Sequence, residues 1–220
     1  MASAVWTIVV AGGSGARFGA PKQFSDLNGR PVLAWAVAAA HTVSEGVVLV
    51  LPAGGAPWPD SSSGARVVVT GGATRSESVR HGLAAVPPTA DVVVVHDAAR
   101  PFATPELFER VVGAVRAGAD GAVPGIPLAD TVKEIDGDGV VVATPDRARL
   151  VAVQTPQAFR AAALRAAHAA GGDATDDASL IEARGGRVVV VAGERHNLKI
   201  TEPDDLEWAR SLARRDSGAA

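Results

Sequence analysis

The sequence predicts an α/β protein of three layers with a mostly parallel central sheet. Short runs of β-branched residues alternate with alanine-rich segments long enough to form helices, as in chains of repeated strand–helix units. The strand-like runs are continuously apolar, which is typical of strands covered by helices on both faces. Several helical segments also begin with residues that cap helices. These observations favour one sheet between two helix layers.

The strand-like runs leave room for a helix between most of them. We predict strands at residues 5–10, 47–51, 67–70, 92–95, 121–123, 151–154 and 188–191. We predict helices at residues 31–41, 76–85 and 161–170, and three more that begin near residues 104, 175 and 201. At the first of these starts, Thr104 can cap the helix, Pro105 suits its first turn and Glu106 suits its positive end.

The composition is that of a globular domain that does not use cysteine chemistry. Hydrophobic residues make up 47% of the 220 residues and charged residues 20%, which excludes a disordered chain. The net charge of -3, with no block of lysine and arginine, argues against nucleic acid as the main partner. The absence of cysteine excludes disulfides, thiolate catalysis and thiolate zinc sites. Neither a signal peptide nor a membrane span is visible, so we expect a soluble, cytoplasmic protein.

Residues 127–149 break the alternation of strands and helices. Two short β-branched runs, at 131–135 and 140–142, flank the hairpin turn signal DGDG. A two-stranded hairpin has too little core to be stable alone, so we predict a projecting β-arm that packs on a second subunit. No repeat and no second domain is visible elsewhere, and residues 1–220 are predicted to form a single domain.

The first strand ends in a glycine-rich loop, and residues 9–24 read VVAGGSGARFGAPKQF. A dinucleotide fingerprint needs a third glycine where Phe18 stands, and a Walker A loop fails because Lys22 follows a proline and precedes a glutamine. Gly13 and Gly15 would still let backbone N–H groups approach a phosphate chain. Arg17 and Lys22 add two cations, which suits phosphoryl or nucleotidyl transfer. The structural alternative is a tight turn with solvated basic residues.

A second glycine motif, GGATRSESVRHGL, occupies residues 71–83. It places Gly71, Gly72, Arg75 and Ser78 at the start of a predicted helix, where small residues and the helix N-terminus suit a nucleotide. The alternative is purely structural, with Ser76 as the helix cap.

A third motif, VVVVHDAARPF, ends a buried strand at residues 92–102. His96, Asp97 and Arg100 lie at its carboxyl end, where α/β folds place their ligands. Asp97 would be suited to organise Mg²⁺, directly or through water. The alternative is a structural ion pair between Asp97 and Arg100.

The motifs together resemble those of a known enzyme family. AGGSGARFGAPKQF resembles the signature of nucleotidyltransferases that activate sugar and polyol phosphates, and its PKQF ending is similar to the 2-C-methyl-D-erythritol 4-phosphate cytidylyltransferase family. The resemblance covers about residues 5–210, with six motifs in order, and departs from the pattern at Gly12 and His196. It implies a Rossmann-like nucleotidyltransferase sheet, Mg²⁺-dependent transfer from CTP to the polyol phosphate in isoprenoid precursor synthesis, and a homodimer.

The resemblance also implies a role for particular residues. The implied catalytic residues are Arg17, Lys22, Arg147 and Lys199. The implied nucleotide-binding residues are Ala11, Gly12, Gly13, Gly15, Gly71, Gly72, Ala73, Arg75, Ser78, Asp97 and Ala98, with Asp97 also at the metal. Thr131, Thr155 and Thr175 are implied to contact the substrate, with Thr131 and Arg147 reaching it from the partner subunit.

For some of these residues a structural explanation stays open. Thr175 would also serve as a helix cap, and Arg147 and Lys199 would otherwise be taken as solvated surface residues. His96 is expected to be a positioning or core histidine.

Three other functions stay open at this point. A cytidylyltransferase for another polyol phosphate, such as ribitol 5-phosphate, would share the fold and most of the motifs. A Rossmann-type dehydrogenase is disfavoured by Phe18 and by the lack of an acid after the second strand. A non-catalytic CTP-binding module is disfavoured because both basic loop residues are retained.

Overall fold

The computed structural model describes residues 4–13, 18–54, 64–171, 173–174 and 176–217, with side chains to residue 214. The strands are β1 (Val5–Val10), β2 (Asp26–Leu27), β3 (Arg30–Pro31), β4 (Gly46–Leu51), β5 (Val67–Thr70), β6 (Val92–Asp97), β7 (Gly121–Pro127), β8 (Glu134–Ile135), β9 (Val141–Ala143), β10 (Val151–Val153), β11 (Gln157–Arg160) and β12 (Val188–Ala192). The helices are α1 (Val32–His41), α2 (Arg75–Ala85), α3 (Pro105–Arg116), α4 (Ala161–Ala169), α5 (Asp177–Glu182) and α6 (Pro203–Ser217).

Within the described residues, eight strands form one sheet around β1. Strands β5, β4, β1 and β6 run parallel in that order. β11 then joins β6 to β7 with antiparallel pairing on both sides. β10 pairs with β7 along the same edge as β11, and β12 pairs in parallel with its other edge. The predicted mostly parallel sheet is confirmed.

Helices cover both faces of this sheet, as predicted. On one face α1 and α3 pack against the strands, with Leu33 and Phe108 fully buried. On the other face α2, α4 and α5 pack through side chains such as Val79 and Leu164. A third cluster lies outside these layers, where α6 packs on the β2–β3 hairpin around Ile200.

Two helix starts differ by a residue or two from the expected caps. Thr104 caps α3 as predicted, because its side chain accepts a hydrogen bond from the Leu107 N–H. In α2 the cap is Thr74 rather than Ser76, and in α5 it is Asp176. Thr175 lies outside the described residues.

Part of the strand interpretation was wrong. β11 was missed, because it is only four residues long and directly follows Pro156. The expectation that all strands are covered on both faces also fails at β5, β10 and β12. Their residues alternate in burial or stay partly exposed, since these strands lie at or near the sheet margins.

The predicted hairpin is confirmed, with a first strand shorter than expected and a second strand displaced by one residue. β8 and β9 pair in antiparallel fashion, and the Asp136 carboxylate accepts hydrogen bonds from the N–H groups of Asp138 and Val140 in the turn. Ile135 and its neighbours across the hairpin (residues 140–142) are each more than half exposed. Across the described part of the chain, no helix is long and apolar enough to cross a membrane. The expected cytoplasmic location stays a prediction.

Candidate active site

A cleft of about 710 Å³ opens at the carboxyl ends of β1, β4 and β6. From β1 the chain continues to β4 and β5, which lie along one edge of β1. It then returns to β6, which pairs with the other edge of β1. Ligands of open α/β sheets bind where the strand order reverses in this way. The described lining includes Ala11, Gly12, Gly13, Lys22, Gly72, Ala73, Arg75, Ser78, Asp97, Ala98 and Lys199.

One wall of the cleft depends on the absence of side chains. The hydroxyl of Ser78 on α2 accepts a hydrogen bond from the Gly72 N–H at 3.1 Å. A Cβ atom on Gly12 would lie 3.1 Å from this hydroxyl oxygen, and one on Gly71 would lie 2.8 Å from it. Ser78 therefore joins the loop after β5 to α2, and Gly12 and Gly71 permit the close approach of its hydroxyl to the loops after β1 and β5.

The loop after β1 is held by the residue that follows Lys22. The side chain of Gln23 is buried and donates hydrogen bonds to the carbonyls of Ala11 at 2.8 Å and Gly13 at 3.1 Å. Lys22 begins a short 3₁₀ helix that ends at Phe24, and it lines the cleft. The glutamine thus fixes the glycine loop relative to the lysine.

Asp97 lies at the centre of the cleft between two cations. Its carboxylate is 2.7 Å from the Lys199 ammonium and 3.6 Å from Arg75 Nε. Burial alone would raise the pKa of Asp97, but Lys199, Arg75 and, more weakly, Arg100 lower that pKa well below its usual range. The main ion-pair partners are therefore Lys199 and Arg75 rather than Arg100, and Lys199 is not a merely solvated lysine.

Arg75 is held from behind by a second, fully buried carboxylate. Asp177 accepts a hydrogen bond from Arg75 Nη1 at 2.8 Å and another from His168 Nε2 at 2.9 Å. Burial lowers the pKa of Arg75, but Asp177 and Asp97 more than offset this and raise it overall. Arg75 is thus fixed between α5 and the end of β6.

His96 lies under the cleft and is neutral. Its Nε2 donates to the Arg100 carbonyl at 3.1 Å, and its Nδ1 is 3.1 Å from the hydroxyl oxygen of Thr155. That oxygen accepts the Asp97 N–H at 3.0 Å, which leaves the hydroxyl hydrogen for Nδ1. Burial, opposed by Asp97 and assisted by Arg100, lowers the pKa of His96 to about 4. The histidine is a core residue, as expected.

Several predicted site residues are not brought to this cleft. Thr155 is 5% exposed and its hydroxyl is used by His96 and Asp97, so the implied substrate contact is not favoured by this geometry. Thr131 and Arg147 lie on the exposed arm, where Arg147 donates to the Ala129 carbonyl. Gly15, Arg17 and Thr175 are outside the described residues.

Other residues that shape the site were not found from the sequence. Gln23 was visible in the PKQF motif, but nothing in the motif indicates which carbonyls it reaches. Asp177 lies in the first turn of a helix, where an acid is expected from the helix dipole alone, and nothing in the sequence singles out His168. Gln154 is a polar residue at the end of a predicted strand, which carries no signal of its own. These side chains act through contacts between distant segments.

The carboxylate available to a metal ion in this cleft is that of Asp97. It is the one acidic side chain among the described lining residues. No group of three potential metal-ligating side chains occurs among the residues the structure describes. One carboxylate fits Mg²⁺ that is otherwise held by substrate phosphates and water.

The comparisons with known proteins agree on one family. The family model for 2-C-methyl-D-erythritol 4-phosphate cytidylyltransferase (IspD) matches residues 5–215. The enzyme of that name from Nocardia farcinica is 47% identical in an alignment that covers 94% of this chain and 93% of that one. The crystal structure of the enzyme from Thermus thermophilus aligns with a TM-score of 0.80 at 38% identity, covering 94% of this chain and 98% of that one.

A longer relative contains the same region. The bifunctional enzyme IspD/IspF of Nitratidesulfovibrio vulgaris is 49% identical in an alignment that covers 91% of this chain and 56% of the relative. The chain therefore spans little more than half the length of that relative. The resemblance seen in the motifs is confirmed, and the chain belongs to the 2-C-methyl-D-erythritol 4-phosphate cytidylyltransferase family.

Proposed function

We propose that the chain transfers the cytidylyl group of CTP to 2-C-methyl-D-erythritol 4-phosphate and releases pyrophosphate. The observation that carries the proposal is the cleft at the ends of β1 and β6, where a glycine wall meets Asp97, Lys22 and Lys199. Family membership supports these two substrates over a dinucleotide or another polyol phosphate.

The proposed chemistry needs no catalytic base. A phosphate oxygen of the acceptor attacks the α-phosphorus of CTP and forms a new P–O bond. The bond from the α-phosphorus to the bridging oxygen breaks, and pyrophosphate leaves with that electron pair. A phosphate monoester is already ionised at neutral pH, so no residue has to remove a proton. His96 is consistent with this, since both of its ring nitrogens are used within the protein.

The nucleotide is proposed to lie against the glycine wall. Residues 11–13, Gly72 and Ala73, together with Ala98, line the cleft next to the start of α2. Backbone N–H groups and a positive helix end favour phosphates and polar edges of a base. Ser78 and Arg75 hold this wall in place through the contacts described above.

The cations are proposed to act by positioning and charge stabilisation. Lys22 and Arg17 would stabilise the negative charge that builds at the α-phosphorus, and Lys199 would hold the incoming phosphate in line. Lys199 is suited to this because its side chain is 42% exposed beside the cleft while its ammonium is held 2.7 Å from Asp97. The position of Arg17 lies outside the described residues.

Mg²⁺ is proposed as the cofactor, with Asp97 as its protein ligand. When bound, the ion would neutralise charge on the triphosphate, whose oxygens would complete its coordination. Asp97 is suited to this role because Lys199 and Arg75 keep its carboxylate ionised. In calorimetry, CTP binding by the Asp97→Asn variant should depend on Mg²⁺ less than CTP binding by the native chain does, and an unchanged dependence would remove Asp97 as the protein ligand.

A pyrophosphate-release assay tests the activity. CTP and 2-C-methyl-D-erythritol 4-phosphate should give pyrophosphate, while the Lys199→Ala variant should give far less. CTP with ribitol 5-phosphate is the parallel reaction. Release with ribitol 5-phosphate alone would overturn the proposed substrate, and release with neither would overturn the proposed activity.

The arm is proposed to form a homodimer and to bring Thr131 and Arg147 to the partner's cleft. Apolar side chains at Ile135 and residues 140–142 are exposed on the arm, and Val151 and Val153 are exposed at its base. Large apolar side chains exposed in this number are typical of an interface. In a dimer built this way, each site would combine Lys199 of one subunit with Arg147 of the other.

Subunit mixing tests this arrangement. Arg147→Ala and Lys199→Ala homodimers should each be nearly inactive. A mixed dimer would have one intact site, so an equal mixture should recover about a quarter of native activity after subunit exchange. No recovery in a mixture shown to exchange would contradict the shared site.

A further inference from the structure

Lys199 lies in the loop between β12 and α6, residues 193–202, which is called the lysine loop below. A buried glutamine from a distant part of the chain holds this loop. Gln154 follows β10 and is 4% exposed. Its side-chain oxygen accepts the Glu194 N–H at 3.0 Å, and its side-chain nitrogen donates to the Glu194 carbonyl at 2.8 Å. The same nitrogen lies 3.2 Å from the Asn197 carbonyl oxygen. The amide therefore pairs with this loop as the peptide group of a neighbouring strand would.

Asn197 completes the attachment from the loop side. It is fully buried, and its side-chain nitrogen donates to the Thr155 carbonyl at 2.9 Å and lies 3.4 Å from the Gln154 side-chain oxygen. Its own carbonyl also accepts a hydrogen bond from Arg100 at 2.8 Å. The loop and the segment after β10 are thus joined in both directions.

Lys199 lies between two fixed points of this loop. Asn197 is fixed two residues before it, and the Ile200 N–H donates to the Ala99 carbonyl at 2.9 Å directly after it. The contact is also tight, because a Cβ atom on Gly193 would lie 2.8 Å from the Gln154 side-chain oxygen. The backbone on both sides of the lysine is therefore set before any substrate binds.

We infer that Gln154 and Asn197 are positioning residues for the acceptor side of the reaction. They hold the backbone of Lys199 so that its ammonium is presented beside Asp97, where the incoming phosphate would meet it. This inference rests on the proposed function, in which Lys199 contacts that phosphate. Neither side chain lines the described cleft, so both act through the lysine rather than on the substrate. Preorganisation of this kind reduces the ordering required when the substrate binds.

A matched pair of buried glutamines provides the test. Gln157 is 2% exposed and lies three residues further on, but its side-chain nitrogen approaches the Gln154 backbone carbonyl at 3.4 Å instead of the lysine loop. Gln154→Met should lower kcat/KM for the acceptor on the order of tenfold or more, with CTP affinity by calorimetry nearly unchanged. Gln157→Met should leave both quantities close to native. Equal effects of the two variants would overturn the inference.

A double-mutant cycle with Lys199→Ala provides a readout that a merely structural role would not move. If Gln154 acts through the lysine, adding Gln154→Met to Lys199→Ala should lower kcat/KM by no more than about twofold further. Full multiplication of the two single effects would overturn the inference. If Gln154→Met does not fold, Gly193→Ala provides a second cycle, because its added methyl group would meet the Gln154 side-chain oxygen as well as the Gly125 backbone.

Failure of the inference and failure of the proposed function are distinguishable. Native chain that releases pyrophosphate while Gln154→Met behaves like Gln157→Met would reject only the positioning role. Native chain that does not react with CTP and the acceptor would reject the proposed function itself.

Discussion

Two buried glutamines hold the two lysine-bearing segments that line the cleft, and they differ in how far they reach. Gln23 is the neighbour of Lys22 and reaches back 10 and 12 residues to the glycine loop. Gln154 holds a loop that lies 40 to 43 residues further along the chain. The loop after β1 is therefore held from within one continuous segment, whereas the loop that carries Lys199 is held only when β7, β10 and β12 are in place.

The difference implies that substitutions can weaken CTP binding and acceptor binding separately. The Gln23 contacts belong to the segment between β1 and α1. The Gln154 contacts lie at the base of the arm, where β10 pairs with β7. Changes at the arm or its base should therefore affect the acceptor phosphate before they affect CTP.

The largest expected effect comes from removing either lysine. Lys22→Ala and Lys199→Ala should each lower turnover roughly a hundredfold or more, because each removes a preorganised charge from the transition state. Calorimetry should then separate them, with CTP affinity falling more in the first variant than in the second. Circular dichroism and urea unfolding provide the control for folding. Near-native turnover in either variant would remove that lysine from the mechanism.

The next effect is on stability and depends on pH. The pKa of His96 is about 4 in the folded chain and 6.5 in the unfolded chain, so between these values only the unfolded state binds the proton. The stability that neutral His96 contributes to the folded state is therefore complete above about pH 6.5. This stability is lost as the pH falls toward 4. Between pH 7.5 and 5.0 we expect the free energy of unfolding to fall by about 2 kcal/mol.

Urea unfolding at the two pH values measures this loss. The His96→Gln variant keeps a side-chain donor for the Arg100 carbonyl but does not titrate. Its free energy of unfolding should therefore fall less between the two pH values. Because His96 contacts Thr155, directly after Gln154, acid should disturb the acceptor side first. An unfolding free energy of the native chain that is the same at both values would contradict the assigned pKa.

A smaller effect is expected from the glutamine on the nucleotide side. Gln23→Met removes two hydrogen bonds and leaves the buried Ala11 carbonyl without the one that Gln23 donates, which should cost about 1–2 kcal/mol of stability. The KM for CTP should rise on the order of tenfold because the glycine loop is no longer held, while the KM for the acceptor changes less. Steady-state kinetics with each substrate varied in turn measures both values, and Gln157→Met is again the matched control. A larger rise for the acceptor would contradict the division between the two sides.

The same contrast explains how much of the molecule could be predicted from sequence. Strands such as β1 and β4 and the cap at Thr104 depend on neighbouring residues, and the apolar runs and capping residues predicted them. The glycine loop and Lys22 could be found for the same reason. β11 was missed because its antiparallel pairing with β6 and β7 is a property of the sheet and not of its four residues.

Site residues whose partners are distant in sequence could not be assigned by these local patterns. Asp177 fits any acid near a helix start, but it also holds Arg75 from 102 residues away. Thr155 was assigned to the substrate because its motif matched. The structure instead places its hydroxyl between His96 and the Asp97 N–H, on the protein side of the cleft.

Thr155 therefore gives the smallest and most discriminating prediction. Thr155→Val keeps the shape of the side chain but leaves the Asp97 N–H and His96 Nδ1 without this partner, which should cost about 1–2 kcal/mol of stability. Turnover and the KM for the acceptor should change only a few-fold, because the hydroxyl supports Asp97 from behind. Thr155→Ser, which keeps the hydroxyl, should restore most of the stability in urea unfolding. A large rise in the KM for the acceptor with unchanged stability would instead place the hydroxyl on the substrate, as the family resemblance implies.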